Sequence, residues 1–266
     1  MSRLIGKIKY QYHDLVLNAR LFRWMGVFRY YYYSYVLRKE FATIKLKAKE
    51  LEQVQIKIRC RNGVDRKVLE YVFNQKYHTT NEVFSNKLNP VILDLGSNIG
   101  CTILDFKLRY PGSIVYGYEM DIDNYKLAEN NTRNLTGVYL FNKAVWLKKG
   151  RINYSKNNTT DAYSIVDSLV NSKINVDCLS MSDILKDNDI QQVDFLKMDI
   201  EGAEVPILND IELLWLNKIL AFNIEFHHIS EDDLNGFIDL LTHKGFKVNK
   251  SLKHWSAIEG VRTVYQ

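Results

Sequence analysis

Three groups of residues in this chain have the types and spacing that chemistry needs. The first is Asp94-Leu-Gly-Ser-Asn-Ile-Gly100, a turn bracketed by Gly96 and Gly100 that directly follows the apolar run Val91-Ile-Leu93. The second is Glu119, which closes another apolar run, Ile114-Val-Tyr-Gly-Tyr118. The third joins Lys197-Met-Asp199-Ile-Glu201-Gly-Ala-Glu204 to Ile224-Glu-Phe-His227.

A carboxylate about 20 residues past a glycine turn stands at the end of the second strand of a βαβ unit, where it can accept hydrogen bonds from both hydroxyls of a ribose. Glu119 lies at that distance. A dinucleotide fingerprint also needs a glycine two residues after the first, so that the backbone can press against a pyrophosphate. Here that position is Asn98. The pattern suits a ligand with an adenosine ribose and no phosphate, such as S-adenosylmethionine, with Asp94 near its cationic or amino group, and fits a nicotinamide dinucleotide poorly. The plainer alternative is a strand-to-helix turn in some other α/β protein.

In the third group, residues two apart on a strand share a face, which pairs Lys197 with Asp199 and Glu225 with His227. Asp199, at a strand tip, is the first choice for the catalytic centre. With Glu225 and His227 it could bind and deprotonate a hydroxyl placed in line with a methyl group to be transferred. Histidine titrates close enough to neutrality for that task. The same carboxylates also suit a divalent metal that polarises the acceptor. Plainer roles exist: Glu204 as an acid at a helix start, and His227, beside His228, as a core or loop histidine.

The elements that must position these groups can be read from periodicity. Val91–Leu95, Ile114–Glu119 and Val138–Ala144 read as strands, separated by helices over 100–109 and 122–134. Further on, a helix begins at Ser182–Leu185. Val193–Met198 and Ala221–Phe226 are apolar strands, a helix covers 231–243, and strands at Phe246–Val248 and Gly260–Tyr265 close the chain. This alternation predicts an α/β fold with a doubly wound, mostly parallel sheet. Leu147–Asn175 is less regular and is expected to form a hairpin or a loop near the substrate. Upstream, Gln53–Arg61 alternates as a half-buried strand before the Asn62-Gly63 turn, and Asp65–Phe73 is a short helix candidate.

Composition sets the outer limits. The chain has 266 residues, 46% of them hydrophobic and 25% charged, enough for one large α/β domain or a domain with an extension. Cys60, Cys101 and Cys178 are odd in number and lack any C-x-x-C spacing, which argues against a disulfide framework or a zinc site and for a reducing, cytoplasmic setting. The net charge of +5 is concentrated: residues 1–40 carry +6 and the remainder −1. Seven of the seventeen tyrosines also fall in residues 1–40, among them Tyr30–Tyr33. This segment reads mostly as helix over residues 3–50, with a break near Gly26 and the tyrosine run. It is too charged to span a membrane and lacks a secretory leader's apolar stretch. Two readings stay open: a helix lying on an anionic membrane surface, and an extension packed on the domain or on a second copy in a homo-oligomer. Nucleic acid is disfavoured, because no basic stripe continues downstream.

Four blocks in order resemble the FkbM family of class I S-adenosylmethionine-dependent methyltransferases: Val91–Gly100, Tyr118–Asn124, Asn142-Lys-Ala-Val145 and, most specifically, Val193–Glu204. The resemblance covers about Gln53 to Phe246, which divides the chain into an extension, 1–50, and a methyltransferase domain, 51–266. It departs from the family at Glu119-Met-Asp121, where the usual sequence is E-P-D. It implies a Rossmann-like class I methyltransferase fold with an N-terminal helical extension. It also implies that Asp94, Gly96, Ser97, Asn98 and Gly100 line the methionine end of the cofactor. Glu119 would hold the ribose, with Met120, Asp121 and Ala144 beside the adenine. The expected activity is O-methylation of a hydroxyl on a saccharide, glycolipid or similar natural product, with a divalent metal as an option. The alternative is a non-catalytic methyltransferase-like scaffold docked to a membrane or partner.

Overall fold

A computed structural model of the chain describes residues 24–45, 55–60, 64–78, 87–156, 163–165, 174–210 and 213–263. It divides into two compact units, Met1–Lys76 and Tyr77–Gln266.

In the first unit a helix, α1 (Trp24–Tyr31), passes through Gly26 and widens into a π-turn at Tyr32–Val36. Two strands follow, β1 (Phe41–Lys45) and β2 (Gln55–Arg59), paired antiparallel with Thr43 opposite Lys57. A helix over 3–50 is therefore incorrect over 41–45, and 3–23 and 46–50 lie outside the described residues. Phe41-Ala-Thr-Ile44 alternates half-buried and buried side chains, a period-2 pattern that burial of Ala42 and Ile44 beside Ile56 and Ile58 rewards over helix. β2 pairs with β1, and both belong to the unit that ends at Lys76. Short helix α2 (Val64–Leu69) ends this unit with a second π-turn, Glu70–Gln75. The turn expected at Asn62-Gly63 lies outside the described residues.

The second unit is built on a seven-stranded sheet. Its strands are β3 (Val91–Leu95), β4 (Ile114–Tyr118), β5 (Val138–Phe141), β10 (Phe195–Met198), β11 (Ala221–Glu225), β12 (Phe246–Lys250) and β13 (Ala257–Arg262), and their order is β12-β13-β11-β10-β3-β4-β5. The five from β11 to β5 run parallel. β13 inserts antiparallel between β11 and β12. Helices α3 (Cys101–Arg109), α4 (Ile122–Thr132), α5 (Met181–Asp187), α6 (Glu204–Leu208) and α7 (Glu231–His243) connect the strands. The central strands β3, β10 and β11 are mostly apolar and buried, as strands covered on both faces must be.

A second, four-stranded sheet has the order β6-β9-β7-β8, from β6 (Ala144–Val145), β7 (Gly150–Lys156), β8 (Tyr163–Ile165) and β9 (Ile174–Leu179). The single strand expected at Val138–Ala144 is thus two: β5 ends at Phe141, and Ala144 starts the second sheet against Cys178. Part of the irregular stretch Leu147–Asn175 joins this sheet, with β7 antiparallel to both β8 and β9, while 157–162 and 166–173 lie outside the described residues.

Candidate active site

Strand order reverses between β3 and β10, the place where open α/β sheets bind ligands. The turn after β3 is drawn tight there. Gly96 has a φ of +81°, and a Cβ on it would lie 1.8 Å from the carbonyl oxygen of Asp199, so no other residue fits. Asn98, also left-handed at +47°, directs its N–H to Glu119 Oε2 at 2.8 Å. The other oxygen, Oε1, accepts from Asp121 N at 2.8 Å. Each Glu119 oxygen keeps a lone pair for a further donor. Burial raises this carboxyl to about 7.

Beneath the turn runs a buried polar row set by register: Asp94 pairs with Lys197, and Lys197 with Asn223. The Lys197 ammonium donates to Gly96 O at 2.6 Å and lies 3.4 Å from Asp94 Oδ1 and 3.5 Å from Asp199 Oδ2. Asp94 takes a further bond from Thr102 Oγ1. Burial works against both ions of the Lys197–Asp199 pair, yet each stabilises the other: the lysine pKa is raised and the aspartate's lowered.

Asp199 leads into a strained turn in which Glu201 and Gly202 have φ of +57° and +101°. Glu204, fully buried at the start of α6, ties that turn by accepting from Ile200 N at 2.8 Å and Gly202 N at 2.9 Å. Glu204 Oε1 also meets His227 Nδ1 at 3.1 Å. His227 Nε2 then faces Glu201 at 3.5 Å, Asp199 at 3.6 Å and Glu225 at 4.0 Å. His78 Nε2 stands 3.7 Å from Asp199, and His254 Nδ1, in the turn between β12 and β13, stands 3.5 Å from Glu225.

These neighbours divide the charge. Burial opposes the imidazolium of His227, but the Glu204 bond and the Asp199 charge outweigh it and raise the ring to about 10. Burial, then Lys197, lowers His78 to about 4. Glu201 and Glu225 are both pushed up to about 8, first by burial and then by Asp199. At neutral pH the cluster holds an ionised aspartate, a cationic His227, a neutral His78 and two glutamates poised to exchange protons.

One cavity, open to solvent, is lined by residues of both regions. Glu119, Met120 and Ala144 line one part of it, and Gly96, Asn98, Asp199 and Glu201 another.

Residues 94–248, more than half of the chain, match the family model described as the methyltransferase FkbM domain. The chain belongs to the FkbM methyltransferase family. A curated relative, methyltransferase sdnD of Sordaria araneosa, is 25% identical over 206 residues, covering 63% of this chain and 78% of its own. Solved structures are more distant. Precorrin-6y C5,15-methyltransferase of Geobacter metallireducens has 12% identity and a TM-score of 0.37, covering 68% of this chain and 85% of its own. Fibrillarin of Aeropyrum pernix, with natively bound S-adenosyl-L-methionine, has 13% identity and a TM-score of 0.41, covering 68% and 70%.

Within this FkbM domain the expected residues fall into three sets. Gly96, Asn98, Glu119, Met120, Ala144 and Asp199 line the cavity. Asp94, Ser97, Gly100 and Asp121 are buried beside it and do not line it. Ser97 Oγ bonds Asp94 O at 2.9 Å, Gly100 caps α3, and Asp121 caps α4 by accepting from Asp123 N and Asn124 N, both at 3.0 Å. Glu225 and His227 join Asp199 in the acid cluster. Sequence reasoning missed His78 and His254. Both sit in turns without periodicity, and their residue type was the only available signal.

Proposed function

We propose that this chain is an S-adenosylmethionine-dependent O-methyltransferase acting on a hydroxyl of a saccharide, glycolipid or similar natural product. The observation that carries this reading is the continuous cavity between the Glu119 carboxylate and the Asp199–Glu201 acids. Its donor set fits the cofactor. Glu119 retains acceptor capacity for a ribose diol, and Met120 and Ala144 offer apolar wall for a flat base. When bound, S-adenosylmethionine supplies an electrophilic methyl group. The protein's share is to orient the acceptor hydroxyl and take its proton. Glu225, raised to about 8, is a better proton acceptor than His227, whose proton Glu204 helps hold in place. The sequence reading gave that task to histidine on its unperturbed pKa.

The test is a calorimetric titration with S-adenosylmethionine. The wild-type chain is expected to bind, and Glu119→Ala to bind 10–100-fold more weakly, roughly the 1.5–3 kcal/mol of hydrogen bonds to a charged group. Equal affinity of the two would refute the reading.

A cytoplasmic setting with peripheral contact to an anionic membrane is proposed for residues 1–40. No helix among the described residues is long and apolar enough to cross a membrane. The described part exposes Phe28, Tyr35 and Val36 near Arg29, Arg38 and Lys39. That combination suits an interfacial segment.

A further inference from the structure

We propose that Asp199, Glu201 and His227 form a binding site for one divalent cation that accepts mixed imidazole and carboxylate ligands, with Mn²⁺ as its best probe. The proposal deepens the methyltransferase reading by giving the acceptor hydroxyl something to bind; cation binding itself does not depend on that reading.

The spacing of the donors is the first argument. His227 Nε2 lies 3.6 Å from Asp199 Oδ1 and 3.5 Å from Glu201 Oε2. A hydrogen bond between such groups closes to about 2.7–3.2 Å. Polar pairs in the same site do close that far, as His227 Nδ1 does on Glu204 at 3.1 Å and Lys197 Nζ on Gly96 O at 2.6 Å. Ligand atoms bound to a common ion at about 2.1 Å stand roughly 3.0–3.4 Å apart, along octahedral or tetrahedral edges. The two separations from His227 Nε2 exceed that range by only a few tenths of an ångström, and all three donors lie within 4.8 Å of one another, a gap that suits an ion better than a direct bond.

The second argument concerns orientation. Histidine ligands to metals commonly give their other ring nitrogen to a carboxylate, which fixes the ring. His227 has this arrangement. Glu204, itself held by Ile200 N and Gly202 N, occupies Nδ1 and leaves Nε2 facing the acids. Glu204 is buried behind the ring and takes the outer position.

The third argument is access. Asp199 and Glu201 line the cavity, so an ion between them presents its remaining positions to that space. Three protein ligands leave such positions open, and a cation there lowers the pKa of a coordinated hydroxyl. Imidazole favours Zn²⁺ and Fe²⁺ whereas carboxylates favour Mg²⁺ and Mn²⁺, and Mn²⁺ tolerates this mixture and is visible by electron paramagnetic resonance.

The test titrates MnCl₂ into the full chain after chelator treatment, reading free Mn²⁺ by its resonance signal. One Mn²⁺ per chain is expected. Glu201→Gln and His227→Gln should each weaken binding at least tenfold, Glu204→Gln about 10–100-fold as an outer ligand, and the exposed Glu231→Gln not at all. Circular dichroism and melting of each variant separate lost binding from unfolding. Glu201 is half-buried, so its variant decides if His227→Gln does not fold. Wild-type binding no tighter than that of Glu201→Gln would overturn the proposal. A parallel titration with S-adenosylmethionine keeps the two readings apart. Retained cofactor binding without Mn²⁺ binding sinks the cation site alone, and Mn²⁺ binding without cofactor binding sinks the methyltransferase reading alone.

Discussion

Glu119 and His227 carry their charges under opposite conditions, and each gives a pH signature. Glu119 is raised to about 7 by burial, so it loses its charge just below neutrality. If its ionised form receives the ribose hydroxyls, affinity for S-adenosylmethionine should fall several-fold from pH 7.5 to pH 6, and Glu119→Gln should bind weakly at every pH. A flat wild-type profile between those values would count against the assignment. Stability has its own sign. His227 has a folded pKa of about 10 against 6.5 unfolded, so its contribution is complete below 6.5 and is lost as pH rises toward 10. Glu201 and Glu225, at about 8 folded against 4.5 unfolded, impose a cost that starts above 4.5 and grows up to 8. All three act in one direction. The melting temperature should therefore decline between pH 6 and 10, and His227→Gln should flatten the upper part of that decline.

The turn between β10 and α6 shows how one side chain organises an element. Four residues separate Asp199 from Glu204, and two of them are left-handed. Glu204→Ala removes both backbone hydrogen bonds and the His227 partner at once. It should cost about 3–5 kcal/mol, as other broken buried pairs do, measured by denaturant unfolding. Gly96→Ala should be at least as damaging, since its Cβ would collide with the Asp199 carbonyl. Most core elements were legible in sequence, because β3, β4, β10 and β11 are short apolar runs and α7 is long and amphipathic. β1 was not. Its five residues follow a run of aromatics whose composition alone resembles a helix, and pairing with β2 decides the conformation.

For the whole molecule, the parallel half of the sheet followed from the alternation of elements, but the placement of β13 between β11 and β12 did not. Antiparallel insertion depends on contacts remote in sequence, and only the collision that a Cβ on Gly260 would make with Phe222 hints at close packing there. The cavity-lining residues Gly96, Asn98, Glu119, Met120 and Ala144 were legible because they cluster in three short segments. His78 and His254 were not, since the fold brings them in from turns. At this scale the extension also makes a prediction: the full chain should float with anionic vesicles, and deletion of residues 1–40 should abolish flotation. Unchanged flotation would dismiss membrane contact.

Because β13 runs against its neighbours, the turn joining it to β12 emerges beside Glu225 and brings His254 with it, together with the exposed Leu252 and Trp255. That turn belongs to a hairpin and carries no residue of the donor-side cavity wall. Doubling the length of such a loop costs only about 0.6 kcal/mol in closure entropy. This corner of the fold is therefore open to diversification: under the proposed methyl transfer, grafting turns of different length and composition between Lys250 and Ala257 is expected to change acceptor preference in an activity assay while leaving S-adenosylmethionine affinity unaltered.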